Sequence, residues 1–292
     1  METQKLRRAM LFAPGNNPAM LQNAGIYNAD SLIFDLEDTV SVTEKDSARQ
    51  LVCQAIKTIK YPCEVGVRIN HIDTPWGLDD LKVVLAAKPD FIRLPKAETA
   101  QEIQRIDEII SEAEHRYGFQ AGSIQMMAAL ENPKGLRNAY DIATASPRMM
   151  ALAIGGEDFA TSLKTNKSMS GNELFTARNL LVYAAREADV YAIDSVFSDV
   201  RDDDTFIQEV KRAKELGFDG KSCVNPRQIS LAYQVYAPTE KEIAYAHKVL
   251  EAYQEALEKK SGVISLNGKM IDAPMITRAE RVLAYANATG NQ

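Results

Sequence analysis

Eight short apolar runs, at 9–13, 31–34, 64–69, 91–94, 124–130, 150–154, 190–193 and 220–224, alternate with longer stretches of helical character. Apolar runs of this length, each bounded by polar, charged or Gly/Pro clusters, read as strands buried on both faces; the amphipathic segments between them read as helices joining parallel strands. Those helical stretches include 44–59, 100–116, 173–188 and 205–216. Thr43 stands ahead of the first and Asp204 or Thr205 opens the last, as N-cap residues would. The runs recur at roughly thirty-residue intervals, the length of one βα unit. Eight such units predict a closed (β/α)8 TIM barrel, an α/β fold whose chemistry sits at the carboxyl ends of its strands.

A chain of 292 residues, 46% hydrophobic and 25% charged, can bury a full core and exceeds the ~250 residues typical of one barrel. The barrel is assigned to 1–237, and a C-terminal extension of helix and arm to 238–292. A formal net charge of -6, with Lys and Arg scattered along the chain, argues against nucleic-acid and membrane partners, which need a basic face. At the N-terminus, basic residues precede a short apolar run that Pro14 and Gly15 break before a signal-peptide core is complete. No run approaches the ~20 apolar residues of a membrane span. Cys53, Cys63 and Cys223 have no C-x-x-C spacing, so a zinc site is not expected and reduced thiols in a cytoplasmic protein are.

Beyond the eighth run, Asn225-Pro226 leads into one helix and Pro238-Thr239 starts another that runs to about Lys260. Gly262, Gly268 and Pro274 then punctuate short apolar pieces, which predicts an ordered arm closed by one more helix. Val263, Ile264, Leu266, Met270 and Ile271 would be costly to leave in water, so the arm should pack on something, a neighbouring subunit being one such surface.

The run ends supply the candidate chemistry. Glu131 follows the fifth run and Asp158 the sixth, so in a barrel they stand within a few strand spacings of roughly 5 Å. Two converging carboxylates suit Mg²⁺, which prefers six oxygens and usually takes one or two from the protein. Each acid alone could instead cap a helix or pair with a base. Arg68 ends the third run, where its planar fork could grip a substrate carboxylate or bridge to Glu37 or Asp38. Asp35, Glu37 and Asp38 form the densest acidic cluster at a run end. Crowded carboxylates titrate apart, so Glu37 or Asp38 could serve as acid or base near neutrality, or simply support Arg68 and Lys96. Gly155 and Gly156, lacking a Cβ, could let backbone N–H groups approach an anionic substrate oxygen, or could only shape a turn. Pro14, Gly15, Asn70, Pro95, Lys96, Asn132, Glu157, Asp194 and Asn225 complete a set pointing toward one rim, and the opposite ends show nothing comparable.

Two other signals fail. Asp219-Gly220-Lys221-Ser222 ends like a phosphate loop, but its Lys-Ser lies inside a strand run. His71, His115 and His247 are far apart, and the last two fall on exposed helix faces, so no histidine-based triad is visible.

In order and almost end to end, the stretches RRAMLFAPGNNPAMLQNA, DSLIFDLEDTVSVTEKDSAR, RINHIDTPWG, FIRLPKAET, AALENPKG, AIGGEDF, GFDGKSCVNPRQI, YAPTEKEI and SLNGKMIDAP resemble the citrate lyase beta subunit family. That family is similar to malyl-thioester lyases and belongs with the HpcH/HpaI-type metal-dependent aldolases of (β/α)8 fold. The resemblance implies cleavage of a citryl thioester, carried on an acyl carrier protein, to oxaloacetate and the acetyl carrier. It implies that Arg68 binds a substrate carboxylate, that Glu131 and Asp158 hold Mg²⁺, and that Glu37 and Asp38 lie beside them. Asp272 resembles an acid that relatives donate from the C-terminal arm into an adjacent subunit's site. The implied partners are an alpha subunit that exchanges the acyl group, a gamma subunit that is the carrier, and further copies of this chain in a trimer or hexamer.

The expected reaction is a retro-Claisen cleavage: Glu37, Asp38 or a metal-bound water takes the tertiary hydroxyl proton, Mg²⁺ stabilises the developing oxyanion, and Asp272 protonates the departing acetyl enolate. Three rivals remain: a Schiff base on Lys96, malyl- or citramalyl-CoA lyase or malate synthase-type chemistry on a coenzyme A thioester, and a non-catalytic assembly subunit.

Overall fold

The computed structural model describes residues 5–168, 170–258, 265–266 and 269–289. Its first unit is a closed barrel of eight parallel strands in sequence order: β1 (Ala9–Pro14), β2 (Ser31–Asp35), β3 (Glu64–Arg68), β4 (Phe91–Leu94), β5 (Gln125–Leu130), β6 (Met149–Ile154), β7 (Tyr191–Asp194) and β8 (Gly220–Cys223). β8 closes the ring by pairing Lys221 with Ala9 and Cys223 with Leu11. Each predicted strand is present within one residue at either end, because a strand covered by helices outside and by side chains inside is largely apolar, the arginine of β4 and the lysine of β8 being exceptions. Met10, Ile33, Phe91, Met127, Met150, Ala151, Ala153 and Ile193 fill the interior, with Phe12 and Tyr191 packed against them. Gly66 makes this filling possible: a Cβ there would lie 2.1 Å from the Phe91 ring.

The four expected helices are present as Lys45–Thr58, Ala100–Tyr117, Phe175–Glu187 and Asp203–Leu216. Their starts correct two expectations. A 3-10 turn over Val42–Glu44 precedes the first, so Thr43 is not its N-cap and Glu44 stands there without a side-chain cap. The last is capped by Asp202, whose carboxylate accepts from the Thr205 N–H, rather than by Asp204 or Thr205. In the first case the 3-10 turn carries the chain one residue past Thr43; in the last, a capping-competent Asp202 upstream takes the site.

The chain divides into two compact units, Met1–Ala232 and Tyr233–Gln292. In the second, the helix Glu240–Glu258 opens on a capping box in which Thr239 and Glu242 bond reciprocally. It packs with the helix Ala273–Ala288 around Ala246, Val249, Ile271 and Ala279. Between the two helices, Ser265–Leu266 pairs antiparallel with Lys269–Met270. Of the apolar arm residues, Ile271 is buried, Leu266 packs on this core and Met270 is exposed. Val263, Ile264, Gly262 and Gly268 lie outside the described residues. Among the described residues no helix is long and apolar enough to cross a membrane. Cys53, Cys63 and Cys223 are all free thiols.

Candidate active site

The barrel mouth is built from the carboxyl ends of β1 to β6. Arg68, at the end of β3, lies across to β2, where Nε and Nη2 grip both Asp35 oxygens at 2.6 and 2.7 Å. Its Nη1 faces Glu37 at 3.2 Å and Asp38 at 3.1 Å. Burial alone would raise the Asp35 carboxyl, but the Arg68 fork overrides it and holds Asp35 below its ordinary value. Arg68 therefore does what the salt-bridge alternative anticipated, with Asp35 as its chief partner.

Lys96 follows β4 in a left-handed conformation, φ 52°, that a non-glycine residue rarely adopts. This turn delivers its Nζ to Glu37 Oε1 at 2.6 Å and to within 4.0 Å of Asp158. Burial alone would lower the lysine, yet its hydrogen bond and charge attraction with Glu37 raise it above its ordinary value. A Schiff-base lysine needs the opposite shift, so the site does not favour that rival. Glu37 itself is buried, and desolvation pushes its carboxyl up despite Arg68 and Lys96.

Glu131, at the end of β5, is buried. Burial first, then the charges of Glu37 and Asp158, raise it to about 8. It lies within hydrogen-bonding reach of Asp158, and its Oε2 is sealed from water with no partner. A sealed carboxylate oxygen without a donor is costly. Beside Glu131, Asp158 is about half exposed, so the pair has one deep and one open member.

Gly155 explains how Glu131 fits: a Cβ at Gly155 would stand 2.5 Å from Glu131 Cγ and 2.8 Å from its Oε1. This corrects one expectation. The Gly155 N–H donates to Leu130 O at 3.0 Å, so it is not free to meet a substrate oxygen, and the residue serves by leaving room. Gly156 begins the helix Gly156–Ser162 against Ser195, which fits its reading as a turn residue.

Among the described residues no group of three or more His, Cys, Asp or Glu is arranged to hold a metal. A two-carboxylate donor set with an unpartnered buried oxygen fits Mg²⁺, which fills its remaining positions from water and substrate.

Several rim residues turn out to be structural. Asn132 caps a helix by accepting from the Lys134 and Gly135 N–H groups. Asn70 is tied to Asp80 and to Leu36 O, Asn225 accepts from the Arg227 N–H, and Glu157 pairs with Lys167. Asp194 points away from the mouth, to Arg178 and Lys221 at 2.8 Å each. The opposite strand ends are not bare either: Arg7 pairs with Glu64, Arg8 with Asp30 and Arg148 with Glu114. Asp272 caps its helix by accepting from the Met275 N–H, within the second unit. Arg93, which the sequence analysis passed over inside β4, lies in the mouth beside Arg68, both guanidiniums 5.1–5.2 Å from the Phe12 ring. Only the strand period could have flagged it, since positions 91 and 93 share the inward face.

Residues 8–226 match the HpcH/HpaI aldolase/citrate lyase family. The chain belongs to that family. It is 50% identical to the citrate lyase subunit beta of Leuconostoc mesenteroides, over 99% of this chain and 96% of the relative. It is 46% identical to the citrate lyase subunit beta of Escherichia coli K12, over 98% of this chain and 95% of the relative. Among solved structures, the CitE protein of Mycobacterium tuberculosis in complex with magnesium, acetoacetate and coenzyme A superposes with a TM-score of 0.79 at 28% identity, covering 97% of this chain and 98% of that one. The family is one of carbon–carbon lyases and aldolases, and the barrel found here is the expected one.

Proposed function

We propose that this chain is the lyase subunit of a citrate lyase and cleaves a citryl thioester to oxaloacetate and an acetyl thioester. The observation that carries the reading is the Glu131–Asp158 pair, with its sealed, unpartnered oxygen at the mouth of a family barrel. The similarity to citrate lyase beta subunits over nearly the whole chain supports the substrate. The magnesium complex of the mycobacterial relative supports the ion.

Glu131 and Asp158 would hold Mg²⁺, which supplies electrostatic stabilisation of negative charge developing on the substrate's hydroxyl oxygen. Arg68 offers Nη1 to a substrate carboxylate, which displaces the half-exposed Asp38. The Asp35 grip keeps the guanidinium plane fixed meanwhile. Glu37, with its raised carboxyl, accepts the hydroxyl proton, and Lys96 at 2.6 Å holds that carboxyl in place. The bond between the carbinol carbon and the thioester-bearing methylene then breaks, the hydroxyl becomes the ketone of oxaloacetate, and the acetyl thioester leaves as an enolate. Asp272, reaching from the C-terminal unit of an adjacent copy, protonates the enolate carbon. Gly155 keeps room for Glu131 in this constellation.

The same reading places the chain in a cytoplasmic assembly with an acyl-exchanging alpha subunit, an acyl-carrier gamma subunit and further copies of itself as a trimer or hexamer. The relatives' designation as subunits supports an assembly of more than one kind of chain. The test is oxaloacetate release from a citryl thioester by the purified chain. Release that needs Mg²⁺ is expected; release of glyoxylate from a malyl thioester in preference would overturn the substrate. An Asp272→Asn variant should bind oxaloacetate normally while losing turnover.

A further inference from the structure

Among the described residues five arginines are buried: Arg7, Arg49, Arg93, Arg148 and Arg178. Four of them meet a carboxylate at ordinary ion-pair distance: Arg7 meets Glu64, Arg49 Asp80, Arg148 Glu114 and Arg178 Asp194. Arg93 alone has none. Its Nη1 donates to the thioether of Met127 at 3.1 Å, a weak acceptor, and its Nε is sealed without any partner. Its Nη2 has no acceptor and is not among the sealed nitrogens. Burial and the neighbouring Arg68 push the guanidinium down, to about 10, so it remains a cation at neutral pH. Glu131, Glu37 and Asp35 attract the guanidinium without reaching ion-pair distance, and a buried cation lacking a direct counter-ion is expensive; this exception to the pattern lies in the mouth beside Arg68.

Arg68 is poorly placed to take a second carboxylate. Its fork is closed on Asp35, and only Nη1 faces the mouth. The two guanidiniums flank the same Phe12 ring, so an anion at the floor of the mouth meets Arg93 as the less encumbered donor. We propose that Arg93 is a specificity-determining residue of this site, binding a substrate carboxylate that the Arg68 fork does not take. It thereby selects a thioester whose cleavage yields a dicarboxylic keto acid over one that yields a monocarboxylic keto acid. This inference rests on the lyase reading above. A site built to hydrogen-bond a group discriminates strongly against a ligand lacking it, because the buried donor is then left unpaired.

The test compares binding of oxaloacetate and pyruvate, measured by calorimetry with Mg²⁺ present, in the full-length wild type, Arg93→Met and Arg93→Lys. Arg93→Met should weaken oxaloacetate roughly 100-fold and pyruvate by no more than about threefold, the range of a charge-assisted hydrogen bond. Arg93→Lys keeps the charge and loses the fork, and should fall between, at roughly tenfold on oxaloacetate. Equal losses on both acids, or no loss on either, would overturn the assignment. If the methionine variant does not fold, unchanged discrimination in the lysine variant would overturn it alone. A wild type that binds neither acid and releases no oxaloacetate would bring down the lyase reading, and this inference with it; a wild type that does both, beside an Arg93→Met that still discriminates, would remove only the role of Arg93.

Discussion

Two clusters of buried charge occupy the same barrel and answer to opposite rules. Behind β7 and β8, Arg178, Asp194, Glu209 and Lys221 are sealed together, with Lys221 Nζ 2.8 Å from Asp194 and 2.9 Å from Glu209. Burial alone would raise Asp194, but Lys221 and Arg178 hold it far below its ordinary value. At the mouth, Glu37, Arg93 and Glu131 each retain a sealed polar atom without a hydrogen bond, and burial pushes both carboxyls up. The residue types are the same. The difference is whether each charge found its partner within the chain, and the incomplete cluster is the one that a ligand can complete.

The largest contrast should come from neutralising one acid in each cluster. Glu131→Gln is expected to lower turnover by about 10³-fold or more, since stabilising the developing oxyanion is worth several kcal/mol. The metal-free variant should be no less stable than wild type, because an unpartnered buried carboxylate is removed. Asp194→Asn should do the reverse, costing about 3–5 kcal/mol of unfolding free energy by leaving Lys221 and Arg178 short of a counter-charge. Denaturant unfolding read beside steady-state kinetics separates the two. If Asp194→Asn were neutral for stability, the contrast between the clusters would fail.

Gly155→Ala sharpens the same comparison without touching a charge. A Cβ 2.5 Å from Glu131 Cγ must displace that side chain, so Mg²⁺ affinity should fall by roughly 10–100-fold while secondary structure stays intact. The pH dependence is a further expectation. Glu131 titrates near 4.5 in the unfolded chain and at about 8 when folded without metal. The folded state therefore favours the protonated acid: its contribution is fully present below pH 4.5 and is lost as pH rises toward 8. The melting temperature of metal-free protein should decline across that window, and Glu131→Gln should flatten the slope. The smallest effect belongs to Asp202→Ala, which removes the cap of the helix that carries Glu209 without touching a charge of either cluster, and should cost about 1 kcal/mol with no change in kcat.

The barrel was legible because period and spacing survive any detail of packing: all eight apolar runs became strands in register with their neighbours. Glu131 and Asp158 were legible as neighbours for the same reason, since adjacent strands must place adjacent ends together. Direction was harder to read. Asp194 and Arg68 both close a strand, yet one turns outward to Lys221 and the other inward to Asp35, a choice set by strand parity and by partners distant in sequence. Arg93 escaped notice because a charged residue inside an apolar run looks like an interruption of the pattern, when it was the inward position of β4. Gly155 was noticed for its N–H, but its value lies in the missing Cβ, which only the approach of Glu131 reveals.

The most direct test is a calorimetric titration of Mg²⁺ into wild type and Glu131→Gln at neutral pH with oxaloacetate present. One ion per chain bound by the wild type, with proton release as the raised Glu131 carboxyl ionises, and binding abolished in the variant, is the predicted result. Equal Mg²⁺ binding by both proteins would contradict it and move the metal away from the Glu131–Asp158 pair.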